Sequence, residues 1–226
     1  MNNQHEISTY FFDGHLSKQM LPVFRGAVIK GLGEDVPVAF HNHLQEGLAY
    51  SYPKVQYKII DNHPAIVLID ISDKSLKDLH VEGSMNLSLN GRKQRFKLVD
   101  VVRQSYSPDI SDTPKYYELN SYLPFNETNR EVYNSLVALT DRICKLEDII
   151  TANILSMFKG LGTQIEQQIE VAITDMRYPF TAKYKDVAFD AFNLRFVSNI
   201  LLPDYIGLGK SPSVGFGTLK RVIGPR

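Results

Sequence analysis

The stretch Ile206-Gly207-Leu208-Gly209-Lys210-Ser211-Pro212-Ser213-Val214-Gly215-Phe216-Gly217-Thr218 places two Gly-X-Gly pairs around a short polar segment. Glycine allows successive backbone N–H groups to turn outward together, which forms a concavity that binds anions, and it allows another backbone to approach closely. An apolar run at residues 196–202 precedes the stretch, and a strand-like segment at 218–223 follows it. The pattern favours a strand, a loop that holds phosphate and a final strand; a glycine-rich hairpin without a ligand is the alternative.

The glycine spacing differs from the dinucleotide-binding fingerprint and from the P-loop, because both of those lead from a strand into a helix. We therefore expect the loop to contact the backbone of a polymer rather than a mononucleotide. The residues predicted to make this contact are Gly207, Gly209, Lys210, Ser211, Gly215 and Gly217.

Charge is balanced over the 226 residues, with 25 basic and 25 acidic side chains, and 43% of the residues are hydrophobic. This composition is typical of one or two globular domains, so contact with a polyanion must come from local basic clusters. Lys93, Arg95 and Lys97 form such a cluster on a predicted strand and are candidates for RNA binding; a solvated face is the alternative. The N-terminus is polar and no apolar run reaches membrane-spanning length, so we expect a cytoplasmic protein without a signal peptide or membrane contact.

Both halves of the chain show the order of elements found in ferredoxin-like domains. In the first half, residues 7–12, 55–60, 65–71, 85–89 and 92–103 are predicted strands, 21–32 and 72–80 are predicted helices, and 36–40 are a short apolar segment. In the second half, strands at 116–125, 170–175, 192–202 and 218–223 accompany one long helix or two in series at 132–157 and a hairpin across 178–190. The sequence predicts an α+β protein with two ferredoxin-like (RRM-like) domains in tandem, at residues 1–110 and 111–226, in which the glycine-rich loop replaces the last helix.

Two histidines, His41 and His43, lie two residues apart in a polar segment that tyrosines follow. If residues 40–43 are extended, both side chains point to the same side. Histidine has an unperturbed pKa near neutrality, so the pair can supply a base and an acid together. The hydroxyl of Tyr50 or Tyr52 can orient an imidazole or donate to a phosphate oxygen. The alternative is a pair of solvated surface histidines.

Histidines two residues apart can also share a metal ion, with His63, Asp61 or Glu46 as a third ligand. The chain has one cysteine and no clear acidic triad, so we expect no metal or other cofactor. The remaining histidines have no recognisable partner in the sequence and are expected on the surface; they are His5, His15 and His80.

Together these features predict cleavage of RNA, which carries its own nucleophile. A base removes the proton of a 2′-hydroxyl, the oxygen attacks the adjacent phosphorus, and an acid protonates the leaving 5′-oxygen. Two other functions stay open at this point. One is a non-catalytic RNA-binding subunit, and the other is a regulator that binds a small phosphorylated ligand through the glycine-rich loop.

The chain resembles the CRISPR-associated endoribonucleases that cut the repeats of a CRISPR transcript into guide RNAs. Gly207-X-Gly209-X5-Gly215-X-Gly217 is similar to the glycine-rich signature of that family. The N-terminal half resembles one branch of it in the segments Leu21-Pro22-Val23-Phe24-Arg25-Gly26-Ala27, Phe40-His41-Asn42-His43 and Tyr52-Pro53-Lys54-Val55-Gln56-Tyr57-Lys58.

The resemblance implies two ferredoxin-like domains and metal-independent cleavage that leaves a 2′,3′-cyclic phosphate and a 5′-hydroxyl. It implies that His41 and His43 act in cleavage and that Tyr50 or Tyr52 assists. CRISPR repeat RNA is the implied partner, together with a homodimer or a CRISPR effector complex.

Overall fold

The structure, a computed structural model, describes residues 4–33, 38–41, 52–72, 74, 76 and 83–224, with the backbone alone for Val38 and His41. The chain divides into two compact units. The N-terminal unit comprises Gln4–Ser107 together with Ser213–Gly215. The C-terminal unit comprises Pro108–Pro212 and residues 216–224. Three residues of the glycine-rich stretch therefore pack with the N-terminal unit.

The N-terminal unit is a five-stranded antiparallel sheet with a helix on one face. Its elements are β1 (His5–Phe12), a 3-10 turn (Lys18–Met20), α1 (Leu21–Gly31), α2 (Val38–His41), β2 (Val55–Ile60), β3 (His63–Ile69), β4 (Ser84–Leu89) and β5 (Arg92–Tyr106). The strand order is β2-β3-β1-β5-β4. The two-residue turn Asn90-Gly91 joins β4 to β5 with positive φ at both residues, as its sequence predicts.

Helix α1 is held to the sheet by its apolar side. Leu21, Phe24 and Val28 recur at helical spacing and are buried. The Phe24 ring lies 5.2 Å from the Phe96 ring of β5, measured between centroids. Burial of a side chain of this size contributes roughly 2 kcal/mol, so this contact fixes the helix on the sheet.

The C-terminal unit repeats the plan with a second five-stranded sheet. Its elements are β6 (Ile110–Tyr122), α3 (Glu127–Ser135), α4 (Leu139–Gly160), β7 (Val171–Met176), β8 (Phe180–Tyr184), β9 (Val187–Ile200) and β10 (Thr218–Val222). Four strands follow the order β10-β6-β9-β7, and β8 pairs with the first part of β9 off this path. In chain order these four strands have the 4-1-3-2 arrangement of a ferredoxin-like sheet, so the prediction of two such domains is confirmed.

A side-chain cap and apolar spacing position the helices of this unit. The Asn126 side chain caps α3 by accepting a hydrogen bond from the Asn129 N–H at 2.7 Å. Leu146, Ile150 and Ile154 of α4 are buried at helical spacing. Val132 and Leu139, which the same spacing assigns to the apolar face, are exposed, because the chain leaves the helical conformation between α3 and α4 and the spacing restarts.

One segment differs from what its sequence suggests. The short apolar run at residues 36–40 is compatible with an edge strand, because Pro37 keeps it off a central ladder position, but residues 38–41 are helical. Phe40 is fully buried in the same core as Tyr57 and Phe24, so tertiary packing overrides the weak local preference. Among the residues that the structure describes, no helix is long and apolar enough to cross a membrane.

Candidate functional site

The histidine pair lies at the edge of the described chain. His41 ends α2, so the condition that residues 40–43 are extended is not met at His41. The side chain of His41, all of His43 and all of Tyr50 lie outside the described residues. Tyr52 is half-buried and lies three residues before the first residue of β2. The alignment of the two imidazoles therefore stays a prediction.

Strand β2, which follows the histidine segment, is buried along nearly its whole length. The Tyr57 hydroxyl is buried and has no hydrogen-bond partner among the described residues. Burial raises the pKa of Tyr57 well above its usual value, and the positive charge of Arg25 partly offsets this. An unsatisfied buried hydroxyl costs about 1–3 kcal/mol, and no local sequence pattern indicates that Tyr57 has one.

A buried lysine occupies the next position on the same strand. The side chain of Lys58 is completely inaccessible, and burial lowers its pKa from 10.5 to about 7. A charged ammonium is disfavoured in such surroundings. Lys58 is thus part of the scaffold.

His5 corrects a further prediction. It was expected on the surface, but it is buried in β1, and its Nδ1 lies 2.8 Å from a carboxylate oxygen of Asp70. The Asp70 carboxylate also accepts the Glu6 N–H at 3.0 Å and lies 3.8 Å from the Lys54 ammonium. Sixty-five positions separate His5 from Asp70, so no local pattern indicates the pair. His15 is exposed, as expected.

The glycine-rich loop joins β9 to β10 through a series of backbone hydrogen bonds in the C-terminal unit. Leu208 N–H donates to the Gly217 carbonyl at 2.9 Å, and Gly217 N–H donates to the Ser121 carbonyl at 3.0 Å. Lys210 N–H donates to the Leu123 carbonyl at 3.0 Å. Gly207 forms an isolated antiparallel bridge with Thr218. Several of the N–H groups expected to face a ligand therefore bind the protein itself.

Two glycines of the loop are required by contacts within the protein. A Cβ atom at Gly217 would lie 1.8 Å from the Leu208 carbonyl oxygen. A Cβ atom at Gly209 would lie 2.6 Å from the Tyr122 ring and 2.7 Å from the Leu123 oxygen. Both residues also have positive φ, +60° and +83°. These contacts account for the glycines without any ligand, and a role for them in RNA contact stays a prediction.

The tip of the loop belongs to the N-terminal unit. Tyr57 N–H donates to the Ser213 carbonyl at 2.9 Å, and Tyr57 forms a parallel bridge with Val214. A Cβ atom at Gly215 would lie 2.4 Å from Cδ1 of Leu21, which begins α1. The tip thus pairs with the outer edge of β2, beside the start of α1.

Lys210 and Ser211 are the polar residues of the loop that face solvent most openly. Lys210 is exposed and forms no ion pair with a described residue; its ammonium lies 5.8 Å from the centroid of the Phe189 ring. Ser211 is half-exposed, has a φ of +54°, and its hydroxyl has no hydrogen-bond partner among the described residues. One cation and one hydroxyl are therefore available to an anion here.

The second basic cluster lies on one face of the N-terminal sheet. Lys93, Arg95 and Lys97 alternate with the buried Phe96 along β5 and are all exposed. They pair in register with Ser88, Asn86 and Ser84 of β4. None of the three forms an ion pair with a described residue. Their charges are therefore available to phosphate groups.

No group of three or more histidine, cysteine, aspartate or glutamate side chains among the described residues is arranged to hold a metal ion. The metal alternative requires His41, His43 or Glu46, whose side chains lie outside that part of the chain.

Both units of the chain match domains of the same protein family. Residues 6–107 match the family profile of the Cas6b N-terminal domain, and residues 109–222 match that of the Cas6b C-terminal domain. An uncharacterised protein of Methanocaldococcus jannaschii is 30% identical over 152 residues, which cover 66% of this chain and 95% of that protein.

Two crystal structures are similar over 97% of this chain and 100% of theirs. One is of Cas6b, with 26% identity and a TM-score of 0.80. The other is described as CRISPR RNA processing endoribonuclease Cas6b, with 25% identity and a TM-score of 0.71.

Proposed function

Since this chain belongs to the Cas6b family, we propose that it is an endoribonuclease that cleaves CRISPR precursor RNA within its repeats. One observation carries the proposal. The chain is similar over nearly its full length to a structure described as a CRISPR RNA processing endoribonuclease. The similarity includes both sheets, so it extends beyond a single shared domain.

The chemistry that fits the chain is transesterification, in which the RNA supplies the nucleophile. One imidazole of the pair His41 and His43 removes the proton of a 2′-hydroxyl, whose oxygen attacks the adjacent phosphorus. The P–O5′ bond breaks, and the other imidazole donates a proton to the leaving 5′-oxygen. Tyr50 or Tyr52 assists by orienting an imidazole or a phosphate oxygen. The products are a 2′,3′-cyclic phosphate and a 5′-hydroxyl.

Binding of the repeat RNA is assigned to the glycine-rich loop and to the basic face of β5. Lys210, Lys93, Arg95 and Lys97 are exposed cations without carboxylate partners among the described residues, and Ser211 adds a hydroxyl. A chain of zero net charge needs such clusters to hold a polyanion. Homodimer formation and membership of a CRISPR effector complex stay predictions.

The test uses a repeat RNA with one deoxynucleotide directly 5′ of the scissile phosphate. Without the 2′-hydroxyl, cleavage should stop while binding remains. Cleavage of the unmodified RNA should continue in chelator and should yield a cyclic phosphate, detectable by its resistance to a phosphatase until the ring is opened. Cleavage of the deoxy RNA, or a reaction that requires a divalent ion, would show that water is the nucleophile and would overturn the mechanism.

The roles of the histidines are tested by His41→Ala and His43→Ala. Each variant should slow single-turnover cleavage roughly a hundred- to ten-thousand-fold, the usual contribution of a general acid or base. Binding of the deoxy RNA should change little, because the histidines act on protons. His15→Ala, at an exposed histidine of the N-terminal unit, is the matched control and should cleave at the wild-type rate. Wild-type rates in both active-site variants would exclude the assignment.

A further inference from the structure

Strand β8 and the first residues of β9 form a hairpin, the β8–β9 hairpin. One of its two faces is aromatic. Phe180, Ala182 and Tyr184 lie opposite Ala191, Phe189 and Val187 in register. Side chains directly opposite each other in an antiparallel pair lie on the same face. Phe180, Phe189 and Tyr184 therefore form a row, with steps of roughly 7 Å along the strand direction. Stacked nucleotides are about 3.4 Å apart, so the spacing of these positions along the strand is about that of two stacked bases.

The rest of the protein covers the side chains of this aromatic row only in part. Phe180 is 40% exposed, Val187 is 52% exposed, and Tyr178, which directly precedes the hairpin, is 96% exposed. Large aromatic side chains normally contribute to cores or interfaces. Exposed apolar side chains that are grouped in this way mark an interaction site.

The charges on the hairpin favour a polyanionic partner. Residues 177–189 contain three cations, Arg177, Lys183 and Lys185, and a single carboxylate, Asp186. The three cations are exposed. The next carboxylate, Asp190, accepts a hydrogen bond from Arg130 at 2.8 Å and is thereby neutralised. Aromatic rings interleaved with cations are the combination that binds single-stranded nucleic acids.

The row is continuous with the glycine-rich loop within the C-terminal unit. The rings of Tyr184 and Phe216 are 5.9 Å apart in an edge-on contact. The Lys185 ammonium lies 5.6 Å from the Tyr184 ring, and the Lys210 ammonium lies 5.8 Å from the Phe189 ring. A strand of RNA held at Lys210 is therefore adjacent to the aromatic row.

The sheet of the C-terminal unit is less suited to stacking on bases than the β8–β9 hairpin is. In RNA-binding domains of this fold, aromatic side chains on the open sheet face stack on bases. Here the register places Lys220, Glu118, Arg195 and Asp175 in a row across the four strands, and Arg195 pairs with Glu118 through an Nε–Oε1 contact of 2.8 Å. The two carboxylates cancel the two cations. The hairpin, in contrast, has an excess of positive charge.

We propose that the aromatic face of the β8–β9 hairpin, with Tyr178, stacks on unpaired nucleotides of the RNA that the glycine-rich loop holds. The proposal rests on the proposed function and deepens it, because it assigns a single-stranded segment of the RNA to one surface. Phe180 and Tyr178 are the open rings of this surface. Lys185, whose ammonium lies over the Tyr184 ring, contacts the adjacent phosphate.

The test compares Tyr178→Ala and Phe180→Ala with Val137→Ala, a 94% exposed apolar residue between α3 and α4. Stacking on one base corresponds to roughly a 5- to 100-fold change in affinity. Each aromatic variant should lose affinity in this range for a single-stranded oligouridine and for the deoxy repeat RNA. The slope of affinity against salt should not change, since no phosphate contact is lost. Tyr178→Phe should restore the affinity, and Val137→Ala should bind like the wild type.

The outcomes separate this proposal from the proposed function. Repeat cleavage by the wild type with unchanged affinity in a Tyr178→Ala, Phe180→Ala double variant would overturn the stacking surface and leave the nuclease intact. Binding of oligouridine through these rings without repeat cleavage would support the surface and overturn the nuclease. Equal loss of affinity for a fully paired RNA would also overturn the proposal, because paired bases are not accessible to the rings. Unchanged thermal unfolding of each variant confirms that the fold is retained.

Discussion

The glycine-rich loop and the β8–β9 hairpin are in contact in the C-terminal unit, yet their residues are used in opposite ways. The glycines of the loop face inward, where Gly217 and Gly209 leave space for the Leu208 carbonyl and the Tyr122 ring. The hairpin presents its large side chains outward, and Tyr178 is almost fully exposed. Contacts within the protein thus account for glycines of the recognisable signature, whereas the exposed aromatic residues lie in a segment that has no signature.

A residue can be necessary either for the fold or for binding a partner. A loop glycine is necessary because the protein would collide with a side chain there. Tyr178 and Phe180, in contrast, are the open aromatic residues of the hairpin region, 96% and 40% exposed. Substitutions of the loop glycines should therefore affect stability first, whereas substitutions of Tyr178 and Phe180 should affect binding first.

The largest effect is expected for Gly217→Ala. Its Cβ would lie 1.8 Å from the Leu208 carbonyl oxygen, so the backbone must move and the hydrogen bonds of Gly217 to Leu208 and Ser121 must weaken. We expect the free energy of unfolding to fall by about 4 kcal/mol or more. Urea denaturation of the full chain provides the measurement.

Gly162→Ala is the matched control for that substitution. Gly162 lies in the same unit, has a φ of +79° and has open space around the position of a Cβ atom. Only the left-handed backbone is penalised there, which costs about 1–2 kcal/mol. Equal losses in the two variants would mean that backbone conformation, and not the contact with Leu208, explains Gly217.

A second effect on stability, which depends on pH, distinguishes a buried cation from an exposed one. The pKa of Lys58 is 10.5 in the unfolded chain and about 7 in the fold. Below pH 7 the lysine is protonated in both the folded and the unfolded state, so the full free-energy cost of burying its charge lowers stability. Between about pH 7 and pH 10.5 the unfolded state binds more protons than the folded state, so the free energy of unfolding rises with pH. The total rise is at most about 5 kcal/mol, since one pKa unit corresponds to about 1.4 kcal/mol.

Lys58→Met should remove this rise, so the difference in unfolding free energy between variant and wild type should decrease steadily from pH 7 to pH 10. Lys93→Met, at an exposed lysine of β5, should retain the rise. Parallel pH curves for the wild type and Lys58→Met would show that Lys58 carries no burial penalty.

Local signals predicted the fold well. The Asn90-Gly91 turn adopts positive φ at both positions because those two residues tolerate it, whatever lies around them. The Asn126 cap and the apolar spacing of α1 are equally local. Such local signals identify each helix and strand, and the order of these elements along the chain then allows few topologies. This is why the ferredoxin-like arrangement could be predicted.

Predictions that depend on distant residues were less successful. Residues 38–41 are helical because the buried Phe40 is held by the core, and His5 is buried because Asp70, far along the sequence, accepts its hydrogen bond. The aromatic row was missed for the same reason. Phe189 joins Phe180 and Tyr184 only through the strand register, which no single segment determines.

The smallest effect is expected at Lys210, where the loop and the hairpin meet. Its exposed ammonium has no carboxylate partner among the described residues and lies 5.8 Å from the Phe189 ring. If it contacts one phosphate, Lys210→Ala should weaken RNA binding several-fold and flatten the salt dependence by about one phosphate contact. Lys159→Ala removes an exposed lysine from the last turn of α4 and should leave the slope unchanged. A lower affinity with an unchanged slope would mean that Lys210 acts through Phe189 and the aromatic row, and that the loop holds no phosphate at this position.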